Sequence, residues 1–164
     1  MLSEPVVPAV ATLTLQVAGN TLMLLPEKAV FLPDSDTLLV ADAHIGKATS
    51  FRQLGVPVPA GTTDETLSVL TRLIRRLDAK RIVFLGDFLH SARSLAPDTL
   101  ATLRRWRELH GTIELTLVRG NHDDRAGDPP AALDIQPNRV NDQRQDEVVG
   151  WLRQLGDLCA ALSR

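Results

Sequence analysis

A chain of 164 residues with 44% apolar and 23% charged side chains is one ordinary domain's worth of sequence, and this usage excludes collagen-like, coiled-coil and wholly disordered classes. The formal net charge of −2, from 20 acidic against 18 basic groups, excludes a global positive field of the kind that drives non-specific nucleic-acid binding. Any such contact must be local.

No run approaches the roughly 18 uncharged apolar residues of a membrane span. The first residues, Met1 to Pro8, carry Glu4 and no basic stretch, so no export signal is expected. The single cysteine, Cys159, cannot make an internal disulfide, which points to a reducing cytoplasm and to metal ligands of oxygen and nitrogen type. Of the 18 basic groups 15 are arginines, and the pairs Arg75-Arg76 and Arg104-Arg105 read as solvated helix surface.

In chain order, Thr12 to Val17 alternates, and Gly19-Asn20 before Thr21 to Leu25 reads as a hairpin turn between two antiparallel strands. Three apolar runs follow, Thr37 to Ala41, Arg81 to Leu85 and Ile113 to Val118, and they read as central strands covered on both faces. Between them, Thr62 with Glu65 makes a capping box for a helix from about Thr63 to Asp78, with Leu67, Leu70, Leu73, Ile74 and Leu77 on one face. A second helix has Pro97 in its first turn, Leu100, Leu103, Trp106 and Leu109 on its core face, and Gly111 just past its end. Strand, helix, strand, helix, strand predicts a layered α/β fold with parallel neighbours. No strand is visible after Val118. From about Gln136 the chain is polar and linker-like, and then Val148, Leu152, Leu155, Cys159 and Leu162 form the stripe of an amphipathic helix.

The three central strands are each followed by groups of metal-ligand type: Asp42-Ala43-His44, Gly86-Asp87-Phe88-Leu89-His90 and Gly120-Asn121-His122-Asp123. Parallel strands share a carboxyl edge, so these loops should converge on one crevice. Carboxylate, imidazole and amide together suit manganese, iron, zinc or magnesium rather than copper(I). Gly86 and Gly120 stand where backbone must turn sharply beside a bound ion or phosphate.

These residues resemble the first three motifs of the calcineurin-like metallophosphoesterase superfamily. Their flanks, Ala41 to Lys47, Phe51-Arg52, Leu85 to Ser91, Val118 to Asp123 and Ala126 to Pro130, resemble the bacterial ligase-associated DNA-damage-response endonuclease branch, over about residues 10 to 135. The resemblance implies a calcineurin-like layered fold in which residues 1–135 are the N-terminal part of the family domain and residues 136–164 a divergent linker plus helix. It further implies that Asp42 and His44 hold a first divalent ion, that Asp87 bridges two ions, and that Asn121 binds the second. Manganese is the first choice, with iron, zinc or magnesium as alternatives. His122 would act as general acid or stabiliser of the transition state, with Asp123 orienting its ring. His90 is a further candidate catalytic group, a structural hydrogen bond being its alternative.

A two-ion phosphoesterase needs a bridging carboxylate because ions about 3.5–4 Å apart repel, and it hydrolyses phosphodiesters by in-line attack. The implied substrate is DNA, with a functional association to a DNA ligase and helicase. Lys47 and Arg52 are either phosphate ligands or solvated surface. Arg119 reads as a structural ion pair, and His110, in the last turn of a helix, as serving the helix dipole.

The family's further His and Gly-His-x-His motifs have no counterpart, since the four histidines are His44, His90, His110 and His122. The same stretch would complete the sheet sandwich, so the 148–162 helix is expected either to cover the exposed sheet face or to mediate a homodimer, unless the tail is a reading-frame product. The rivals to an endonuclease are a non-catalytic remnant serving as an interaction module, and a phosphomonoesterase or cyclic-nucleotide phosphodiesterase.

Overall fold

The computed structural model describes residues 12–55, 62–89, 91–119 and 127–138. One seven-stranded sheet runs through them in sequence order, β1 (Leu13–Val17), β2 (Asn20–Leu25), β3 (Ala29–Leu32), β4 (Thr37–Ala41), β5 (Arg81–Leu85), β6 (Glu114–Val118) and β7 (Ile135–Asn138). The first four strands pair antiparallel and β4 to β7 pair parallel. Three helices are described, α1 (Lys47–Gln53), α2 (Thr62–Leu77) and α3 (Pro97–Leu109).

The opening hairpin turns at Ala18-Gly19, both with positive φ (49° and 79°), which matches the twist of antiparallel strands. A third antiparallel strand, β3, follows at once, and sequence pattern missed it because four apolar residues after a short turn carry no period of their own. β7 likewise corrects the expectation that no strand follows Val118. Its sequence, Ile135-Gln136-Pro137-Asn138, is short and polar, and proline is tolerated because β7 is the last strand of the sheet among the described residues.

Sequential parallel strands joined by right-handed crossovers place their helices on one face. Accordingly Leu67, Leu70, Leu73 and Ile74 of α2 and Leu103 and Trp106 of α3 pack in one cluster with Leu38, Val40, Ile82, Phe84, Leu115 and Leu117 of the strands. Coverage of both faces is therefore not what the described residues show: Leu39, Val83 and Leu85, which point the other way, are only half-buried. The strands look continuously apolar because their second face is also apolar, and among the described residues no helix packs against that face.

A buried polar network ties the two helices together. Trp106 Nε1 donates to Thr71 Oγ1 at 3.0 Å, and Thr71 Oγ1 lies 3.0 Å from His110 Nε2. Desolvation first, then the Arg75 and Arg107 guanidinium groups, holds the His110 pKa below the ordinary imidazole value. His110 is thus a buried residue whose charged form is disfavoured, which runs against its reading as serving the helix dipole. It also caps α3, its N–H donating to Trp106 O and Arg107 O, while Gly111 is not left-handed. None of the described helices is long and apolar enough to cross a membrane.

Candidate metal centre

The strand register decides which residues meet. Ala41 lies beside Leu85, and Leu85 beside Val118, so the polar residues that follow β4 and β5 leave the sheet side by side. Gly86 turns with φ 71°, and its N–H donates to Val118 O at 2.8 Å. The two outgoing loops are then stitched together beyond the sheet. The N–H of His44 donates to Asp87 O at 2.9 Å and that of Ile45 to Phe88 O at 2.8 Å, with a parallel bridge between Ile45 and Leu89. Phe88 is buried and its ring stacks at a tilt on Phe84, 4.7 Å between centroids, which anchors the second loop in the core.

This stitching holds an unusual backbone. Asp42, His44 and Asp87 have φ of 52°, 46° and 46°, the left-handed region that costs a side-chain-bearing residue about 1 kcal/mol or more. Asp and His are among the types that tolerate it. Left-handed residues do occur singly at turn ends elsewhere, but here three of them are the three candidate ligands.

The result is a cluster in which Asp42, His44 and Asp87 each offer one ligand atom, all within 4.8 Å of one another. Three donors at about 2.1 Å from a single ion lie about 3.0–3.6 Å from one another, so closing a cluster 4.8 Å across on one cation takes shifts of about an ångström. Two carboxylates and an imidazole also suit a hard or borderline divalent ion. The residues fit such an ion. Asp42 is exposed, while His44 and Asp87 are half-buried, so the cluster opens to solvent on the Asp42 side.

Of the other predicted site residues, His90, Asn121, His122 and Asp123 lie outside the described residues, as does the stripe from Val148 to Leu162. Lys47 opens α1 and Arg52 lies in its last turn, both exposed. Arg119 pairs with Asp128, the structural ion pair anticipated for it. Sequence reasoning gave no role to four hydroxyl residues hydrogen-bonded next to the ligand loops, Ser50, Thr63, Ser91 and Ser94. Isolated Ser and Thr codons carry no signal that would have found them.

An open parallel edge that gathers Asp-x-His and Gly-Asp into one cluster makes a candidate site for a divalent ion. The chain belongs to the calcineurin-like phosphoesterase family, whose model matches residues 36–159. It is also similar to a solved nuclease, MPE of Pseudomonas putida, with 44% identity, a TM-score of 0.69 and coverage of 78% of this chain. This chain spans 60% of the length of that nuclease. No curated protein matches the chain.

Proposed function

We propose that the chain is a manganese-dependent phosphodiesterase domain that cleaves DNA through a two-ion centre, in a cytoplasmic repair setting. The observation that carries this reading is the meeting of Asp42, His44 and Asp87 within 4.8 Å at the carboxyl edge of the parallel strands. The similarity to a nuclease at 44% identity supports a nucleic-acid diester over a monoester, and the ligase-associated flanking motifs support the repair setting.

In this reading Asp42 and His44 hold one ion, Asp87 bridges, and Asn121 holds the second. When bound, the ions draw charge off the non-bridging phosphate oxygens and acidify the attacking water. His122 gives a proton to the departing oxygen while Asp123 holds its ring in the required tautomer, and His90 contacts the substrate phosphate. The backbone bonds between the two ligand loops hold the donors of His44 and Asp87 close to one another before an ion arrives.

Titration of the full chain with Mn²⁺, followed by assays on bis-p-nitrophenyl phosphate and single-stranded DNA, tests the proposal. Turnover of both substrates that falls about a thousandfold in Asp87→Ala is the expected result, a loss of the size that removing metal-borne charge stabilisation produces. Ion binding with no turnover would leave a non-catalytic module. Turnover of the small diester alone would move the substrate away from DNA.

A further inference from the structure

The hydroxyl cluster next to the ligand loops is not required by packing. Ser94 is 0% and Ser50 3% exposed, positions where alanine would occupy nearly the same space, and a buried hydroxyl is unfavourable unless bonded. Here every hydroxyl is used. Ser50 Oγ lies 2.6 Å from Ser91 Oγ and 3.3 Å from Ser94 Oγ, and the N–H of Ser91 donates to Ser94 Oγ at 3.0 Å.

These bonds join two particular segments. Ser50 belongs to α1, which begins three residues after His44. Ser91 and Ser94 belong to the 3-10 turn, capped by Ser91, that follows the Asp87 loop. Between the two segments lies Gly46, with φ +76°, whose missing Cβ would fall 2.5 Å from Ser94 Cβ. The N–H of Gly46 donates to Thr63 Oγ1 at 3.1 Å, and its carbonyl accepts from the N–H of Ser50 at 3.0 Å.

A closed ring results. On one side the backbones of His44 and Ile45 are bonded to Asp87 and Phe88. On the other, Ser50 is bonded to Ser91, so each ligand loop is pinned both at its ligand and a few residues further on. Two separate attachments fix both spacing and tilt, whereas the backbone bonds alone would leave a hinge.

We propose that Ser50, Ser91 and Ser94 are positioning residues that set the distance between the His44 and Asp87 donors and thereby the affinity for a divalent cation. The proposal rests on the metal-centre reading above for its ligand, but its geometric content does not. Removing a polar group that orients ligands typically weakens metal binding by ten- to a hundredfold. Because the serines act through backbone, the lower end is expected here.

Two measurements on the full chain decide it. In the metal-free protein, hydrogen exchange of the His44 and Ile45 amides should accelerate in Ser50→Ala by about tenfold more than that of Ile82 and Leu117 in the core strands. A merely structural serine would speed all of them alike. Calorimetric titration with Mn²⁺ should give a Kd about tenfold weaker in Ser50→Ala and in Ser91→Ala, with the double variant weakened by clearly less than the product of the two, since both break the same 2.6 Å bond. Ser91 is half-buried, so its variant stands in if Ser50→Ala does not fold. Amide rates that rise uniformly, together with a Kd within twofold of the parent, would overturn the clamp. If the parent chain itself takes up no Mn²⁺, the metal-centre reading fails, and the amide rates alone judge the clamp.

Discussion

The two edges of the parallel sheet are built on opposite principles. At the amino edge, charges are paired and backbone groups close on one another. Arg81 meets Glu114 at 2.8 Å, and Asp36 O accepts from the N–H groups of both Lys80 and Arg81. At the carboxyl edge, the carboxylates of Asp42 and Asp87 converge with His44 within 4.8 Å. Two like charges at that distance repel by about 1 kcal/mol even in water, and by more where solvent is partly excluded. Three left-handed ligand residues add to that cost. One edge is arranged for stability. The other spends some of it on a geometry that a cation would relieve, the signature of a functional edge.

Substitutions should separate the two edges cleanly. The largest effect is expected from Asp87→Asn, which keeps a residue type that tolerates φ near 46°. Manganese-dependent diester hydrolysis should drop about a thousandfold, while the metal-free protein melts at the same temperature or higher because the repulsion is gone. A melting temperature that fell by several degrees would show that the edge is structural after all. Next is Gly46→Ala, where a positive φ and a Cβ 2.5 Å from Ser94 combine. Denaturant unfolding should show a loss of about 3 kcal/mol.

The helix layer gives intermediate effects. Thr71→Val strips both the Trp106 N–H and His110 of their shared partner, for an expected loss of about 2 kcal/mol in urea unfolding. The same network sets a pH dependence. With its folded pKa held below the ordinary 6.5, His110 refuses a proton that the unfolded chain accepts. Stability should therefore be full above pH 6.5 and decline as pH falls below it. His110→Gln should flatten that decline in melts taken from pH 7.5 to pH 5. Smallest is Arg81→Ala at the amino edge. Its pair with Glu114 is 46% and 68% exposed, and such pairs contribute about 0.2–1 kcal/mol. A loss well above that range would mean the amino edge carries more of the stability than its exposed ion pairs can.

Much of this architecture was legible before folding. The helix expected over Thr63 to Asp78 is α2, Thr62–Leu77, because its apolar stripe and acidic first turn are local signals. Pro97 does open α3. The strand ends were legible for the same reason, since a run of apolar residues stops where Asp42 and Gly86 begin. β3 and β7 were not legible, being only four residues long each and held by neighbours distant in sequence. His110 was misread because a helix end looks alike in sequence whether it faces water or Thr71 across a helix interface.

The amino-acid sequence by itself determined the alternation of strand and helix and the chemical types waiting at three strand ends, since periodicity, capping and turn residues act over a few positions. Only the tertiary structure decided that Asp42, His44 and Asp87 share one place, that both crossover helices take the same face, and that Ser50 bonds to Ser91 across 41 positions. Those outcomes depend on strand register and on backbone bonds between loops, and such long-range pairings leave no local trace in the chain.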